Sequence, residues 1–218
     1  MTPTHHPSDA LLIGYAAGTT GESEALALSL HLTFCAACRD RVRAAEAMGG
    51  YLLEQSEAAP LQDHALQDVL ARLDDDAEEA EALPAVVAPA TLPALPAPIA
   101  RYATDALRTT GWRWVAPGIQ QLALATRGTA RARLIRFKPG TVLPDHSHSG
   151  QELTVVLSGS YSDTQGHFAC GDMAELDGSV DHRPQVDSDE DCVALIVTDA
   201  PLQFRGLVAR LAQIWTGI

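Results

Sequence analysis

Residues 84–100, PAVVAPATLPALPAPIA, place prolines at 84, 89, 93, 96 and 98. Proline lacks an amide hydrogen and has a fixed φ, so this spacing does not suit a helix interior or a central strand. The segment is expected to be an extended, semi-rigid linker. It lies between two stretches of different texture, and it breaks the longest uncharged run, Leu83–Ala100, which therefore cannot be a membrane helix.

Ahead of the prolines the pattern is helical. Ser8 before DALLIGYAAG and Thr20 before GESEALALSLHL are candidate caps. Val42, Ala45, Met48 and Leu52, then Leu66, Val69 and Leu73, recur at three- and four-residue steps. Three to four short helices are expected, the last near 61–73. Beyond Ile99 come short runs set apart by glycine, proline or aspartate: QQLALAT, ARARLIRF, ELTVVLSGSYSD, GDMAEL and CVALIVTD. Such regular strands without intervening helices indicate a sandwich or barrel. The last residues, 202–215, read as a helix on its outside. The expected fold class is α+β, with an all-α domain over 1–83, a linker over 84–98 and a β-barrel domain over 99–218.

The net charge of −13 is unevenly placed. Residues 1–83 carry 15 acids against 4 arginines, a balance of −11, and residues 84–218 carry 13 acids against 11 bases, a balance of −2. Phosphate backbones repel such an amino-terminal half, so no direct nucleic-acid binding is expected. A basic protein partner suits it better. The run Asp74–Glu81 reads equally well as a solvated helix end. A hydrophobic share of 46% marks a globular chain. MTPTHHPSDALL lacks the basic segment and apolar core of an export signal, and the expectation is a soluble, cytoplasmic protein.

Within the helical half, His31–Cys38 reads HLTFCAAC. A redox C-x-x-C follows a strand at a helix start, and no strand is expected here. On one helix, positions 31, 35 and 38 share a face, and two thiolates with an imidazole are good zinc donors. A closed site needs a fourth, and His5 and His6 are equally placed by spacing. About 80 residues of short helices make a marginal core. A structural zinc site supplies an apparent ~10–16 kcal/mol in small peptides. HHPSDALL with HLTFCAAC and a carboxyl-terminal barrel resembles the ChrR-type zinc-binding anti-sigma factors of bacteria, through nearly the whole chain including TDAPLQF. The resemblance implies that His6, His31, Cys35 and Cys38 hold zinc. It also implies that the helical domain clamps an extracytoplasmic-function sigma factor.

The segment GTVLPDHSHSGQELTVVLSG is similar to the first cupin motif, with Gly140, His146, His148, Glu152 and Gly159 at its fixed positions. Residues 146, 148 and 152 share strand parity and can point into a barrel together. In the second motif, Gly171 precedes His182 by the expected interval, while Asp177, Ser179 and Val186 replace the usual Pro, Gly and Asn. His146, His148, Glu152 and His182 are thus the expected donors to a second site, for zinc or another divalent transition metal. ChrR-like proteins carry a Cys-x-Cys at the position of Cys192, but Ala194 stands at its second place, so a thiol trigger using that pair is unavailable.

The resemblance implies an anti-sigma factor that inhibits transcription, without catalytic residues. The resemblance implies release under oxidative stress of the singlet-oxygen or organic-peroxide kind, sensed by the cupin-type barrel. The alternative is a metal-dependent cupin enzyme, dioxygenase-like, with accessory helices. It accounts for residues 140–182 but leaves HLTFCAAC in an acidic domain unexplained.

Overall fold

The structure, a computed structural model, describes residues 2–74 and 95–204. The Ser8 hydroxyl accepts the Leu11 amide and opens α1 (Asp9–Ala16), as its position predicts. The second helix, α2 (Glu22–Phe34), is capped at Gly21 rather than Thr20 and has no side-chain cap. Glu24 folds back over Gly21 into the space a Cβ would need. α3 (Ala36–Gln55) and α4 (Ala65–Asp74) complete the four helices expected before the prolines.

The acidic run beyond Asp74 and the prolines at 84, 89 and 93 lie outside the described residues. From Ala97 the chain is helical, not extended: α5 spans Ala97–Thr109 where strand texture was expected. Pro98 sits in its first turn, where no amide is needed. Ile99, Ala103 and Ala106, at i, i+4 and i+7, form its buried stripe.

Eleven strands follow among the described residues. β1 (Arg113–Ala116), β2 (Ile119–Leu124), β3 (Arg131–Phe137), β5 (Glu152–Ser158), β8 (Met173–Leu176) and β10 (Cys192–Thr198) form an antiparallel sheet in the order β1-β2-β3-β10-β5-β8. β6 (Ser160–Asp163), β7 (Gly166–Ala169) and β9 (Gln185–Val186) form a three-stranded sheet. β4 (His146–His148) pairs with β11 (Leu202–Phe204), so the chain is a strand where the terminal helix was expected to begin. The rest of that expected helix lies outside the described residues.

The large sheet is covered on both faces. On one, Leu122, Leu134, Leu153, Val155 and Leu195 join Leu26 and Leu30 of α2 and Ile99 of α5 in a single buried cluster. On the other, Ile135, Val156 and Ala174 meet Tyr161, Phe168 and Val186 of the small sheet. Full burial of each large aliphatic side chain contributes about 1.5–3 kcal/mol, and a strand covered twice carries apolar residues at successive positions, as VVL does in β5 and VALIV in β10.

Helix α2 belongs to both layers. At its start Glu22 accepts the Tyr102 hydroxyl of α5 at 2.8 Å and the Arg127 amide of the β2–β3 turn. Ser23 donates to the Ala130 carbonyl at 2.9 Å. These bonds hold α2 across the sheet and deliver His31, in its last turn, to the barrel surface.

Candidate metal centres

The helical centre forms at a break in the chain. Cys35 does not continue the helix from His31, as the spacing suggests. It is extended, with φ −107° and ψ 105°, ending α2 and capping α3. Its sulfur accepts the Cys38 amide at 3.4 Å, which explains the break, since one thiol starts the new helix. His31 donates from Nδ1 to the Gly171 carbonyl at 2.8 Å. Its buried Nε2 has no hydrogen-bond partner among the described residues. His6 Nδ1 lies 3.4 Å from both Cys35 Sγ and Cys38 Sγ.

All four donor atoms, of His6, His31, Cys35 and Cys38, lie within 4.8 Å of one another. His5 faces the other way, its ring 4.2 Å from that of Phe168, so the geometry favours His6 where spacing left both open. Tetrahedral zinc, with bonds of about 2.3 Å to sulfur and about 2.0 Å to nitrogen, sets the two about 3.5 Å apart, close to the separations found. Burial, with a hydrogen bond to Cys35 and its proximity, pushes the Cys38 thiol up to about 12. Without a cation the Cys38 thiol keeps its proton. A divalent metal supplies the charge that two adjacent buried thiolates require.

The barrel centre gathers three imidazoles. His146 and His148 come from β4, and His182 from a bridge opposite His146. His182 Nε2 stands 3.0 Å from His146 Nε2 and 3.2 Å from His148 Nε2. Two tautomers are set by acceptors behind the rings: His146 Nδ1 donates to the Pro144 carbonyl at 2.9 Å, and His182 Nδ1 to the Asp163 carboxylate at 2.8 Å. In the neutral rings both Nε2 lone pairs then face each other, which is unfavourable unless a cation lies between them. Zinc–imidazole bonds place such nitrogens about 3.3 Å apart.

Burial pushes His146 and His148 down to about 4, so both rings are neutral at neutral pH. Glu152 is in the same interior but outside the triad. Its Oε2 is 3.5 Å from His148 Nδ1, and its Oε1 accepts the Thr154 hydroxyl at 3.1 Å. Burial raises its carboxyl above the usual range. The four side chains are 2–5% exposed. Cys170 and Cys192 are free thiols, and Ala194 is buried against the sheet.

Sequence reasoning missed the groups behind the ligands. Asp163 is one acid in an ordinary SYSD strand, and nothing in its spacing marks it as the partner of His182. Burial opposes its ionisation, yet the His182 hydrogen bond and the amides of Gln165 and Gly166 hold its carboxyl below the usual range. Gly171 stands out in the sequence only as a motif position, and its carbonyl has no signature at all.

No described helix is long and apolar enough to cross a membrane. The family model of the ChrR cupin-like domain matches residues 102–202. The anti-sigma-E factor ChrR of Cereibacter sphaeroides is 40% identical over 213 residues, covering 98% of each chain. The crystal structure of Rhodobacter sphaeroides SigE in complex with the anti-sigma ChrR contains a chain that superposes with a TM-score of 0.77 at 38% identity. That match covers 91% of this chain and all of the other. With a helical amino-terminal part, a cupin-like β part and a relative aligned almost end to end, the chain belongs to the family of ChrR anti-sigma factors.

Proposed function

We propose that this chain is a cytoplasmic anti-sigma factor whose helical domain, residues 1–83, binds an extracytoplasmic-function sigma factor and keeps it from RNA polymerase. Zinc at His6, His31, Cys35 and Cys38 braces α1, α2 and α3 into that clamp. The barrel, with His146, His148 and His182 as donors to a second divalent metal and Glu152 beside His148, responds to singlet oxygen or organic peroxide. The segment 84–98 joins the two. The function needs no catalytic residue. The low exposure of the barrel donors favours a metal held inside over one offered to a substrate.

The observation that carries this reading is an uncovered apolar surface on the acidic layer. Tyr51 and Leu52 near the end of α3, with Leu66 and Val69 of α4, are 56–65% exposed. Leu66, Val69 and Leu70 follow helical spacing, so they form a stripe rather than scattered positions. An apolar stripe left in solvent marks a protein-binding site. The acid-rich composition around it suits a partner whose own surface is basic because it binds nucleic-acid phosphates.

The test is co-expression with the sigma factor encoded beside this gene, followed by size exclusion and run-off transcription. A 1:1 complex that blocks transcription is expected, and Leu52→Glu with Val69→Glu should abolish it while both metals stay bound. A complex indifferent to that pair of charges would sink the assignment of the clamp surface. Failure of the wild-type chain to inhibit would sink the function.

A further inference from the structure

His6 comes from an extended strap ahead of α1, and the bonds that place the strap are made to the barrel. The Asp172 carboxylate, on the turn between β7 and β8, accepts the Thr4 amide at 2.6 Å and the His5 amide at 2.9 Å through one oxygen. The Met173 amide donates to the His5 carbonyl at 3.2 Å. The His5 ring rests on Phe168 of β7, and a Cβ on Gly166 would come within 3.0 Å of His5 Nε2. The strap is thus laid along the β7–β8 corner one residue before the ligand.

The same turn reaches a second ligand. Gly171 donates no side chain but offers the carbonyl that fixes His31 Nδ1 and turns Nε2 to the two sulfurs. Its φ of +92° is a glycine conformation, and a Cβ there would meet the Phe34 side chain at 2.8 Å, so backbone and α2 touch directly. Two of the four donors of the helical centre therefore take their positions from the barrel. Cys35 and Cys38 take theirs from the α2–α3 break.

We infer that the helical metal centre is shared between the layers: Gly171 and Asp172 of the barrel are positioning residues for His31 and His6, and zinc is held tightly only while barrel and helices are engaged. The inference rests on the reading that His6, His31, Cys35 and Cys38 hold zinc. Groups that orient metal-binding imidazoles change metal affinity 10–100-fold when lost. Linkage makes the effect reciprocal, so zinc also holds the layers together. Any event that parts the barrel from α2 and the strap loosens the brace of the clamp, which gives the barrel a route to the bound sigma factor.

Full-length protein loaded with zinc is challenged with a chromogenic chelator, which reaches the centre through His6, the exposed member of the four. Asp172→Asn should release this zinc about 10–100-fold faster than wild type. His5→Ala, which leaves the barrel's own bonds intact, should accelerate release in the same direction by a smaller factor. In cobalt-loaded protein, both variants should alter the visible bands of the tetrahedral thiolate–imidazole site. Barrel metal content reports whether Asp172→Asn has damaged the barrel; if it has, His5→Ala decides. Wild-type release rates and an unchanged cobalt spectrum overturn the inference. A wild-type zinc content that Cys35→Ala with Cys38→Ala does not lower overturns the zinc reading beneath it, and the inference with it.

Discussion

At the barrel centre, two groups that orient ligands belong to the barrel itself: the Pro144 carbonyl behind His146 and the Asp163 carboxylate behind His182. At the helical centre the carbonyl behind His31 belongs to Gly171, across the layer boundary. The donors differ in the same sense. Three buried imidazoles bind without giving up charge, whereas two thiols must lose protons and gain a dication's field. The barrel centre is thus self-contained and dry, and the helical centre is conditional, with His6 at its solvent edge. A protein that must stay folded while releasing a partner gains from this division, because the conditional site sits in the part that grips.

The sharpest way to break the comparison is to remove the thiols. Cys35→Ala with Cys38→Ala should lower zinc by one per chain and destabilise the helical layer by about 10–16 kcal/mol, the scale of a structural zinc site. That exceeds much of a domain's usual ~5–15 kcal/mol. Metal analysis should show the barrel keeping its metal. Joint loss of both metals would erase the distinction.

The next effect is in pH, on metal-free protein. His146 and His148 are held at about 4 in the fold, below the ordinary 6.5. The unfolded chain then takes up protons first as pH falls. Stability from these groups is full above about pH 6.5 and is lost progressively down to about pH 4. With about 1.4 kcal/mol per pKa unit, each histidine accounts for up to ~3 kcal/mol. Urea midpoints should therefore drop between about pH 7 and about pH 5. A flat profile over that window would mean the imidazoles are not dry.

How much of this was legible in the sequence follows from what each signal encodes. Spacing marks candidate donors directly, so His31, Cys35 and Cys38 stand out in one segment, and His146, His148 and His182 stand out by likeness to the cupin motifs. Glu152 was found by the same motif, but its carboxylate turns to Thr154 and to His148 Nδ1, a side-chain choice that spacing does not carry. The prolines hid α5, because Pro98 weighs against a helix unless it is recognised as a first-turn residue. The unbroken apolar runs in β5 and β10 did hold the remaining information: strands with both faces covered need something outside the barrel, here α2 and α5. Backbone carbonyls such as those of Pro144 and Gly171 leave no trace in residue identity.

Asp163→Asn sharpens the comparison from the barrel side. The amide can still accept from His182 but without charge, and its side chain is 1% exposed. Barrel metal affinity should fall 10–100-fold, read by competition with a calibrated chelator. Zinc at the helical centre should remain, since neither Gly171 nor Asp172 has been touched. Equal loss at both centres would show that the barrel metal, not the β7–β8 turn, governs the helical site.

The smallest effect separates local folding from the contact between layers. The Ser8 hydroxyl accepts the Leu11 amide at 3.3 Å as the cap of α1 and donates to Glu175 of β8 at 3.1 Å. Ser8→Ala removes both and should cost about 1 kcal/mol, the usual value of a lost cap. Ser8→Asp restores the cap and adds charge favourable to the helix start, while setting a carboxylate against Glu175. The Ser8–Glu175 bond is exposed, and exposed polar pairs contribute little, so the aspartate should recover most of the loss in a thermal melt. If it is instead less stable than the alanine variant, the contact with the barrel outweighs the cap. The dependence of the helical layer on the barrel would then extend past the metal ligands into the first helix itself.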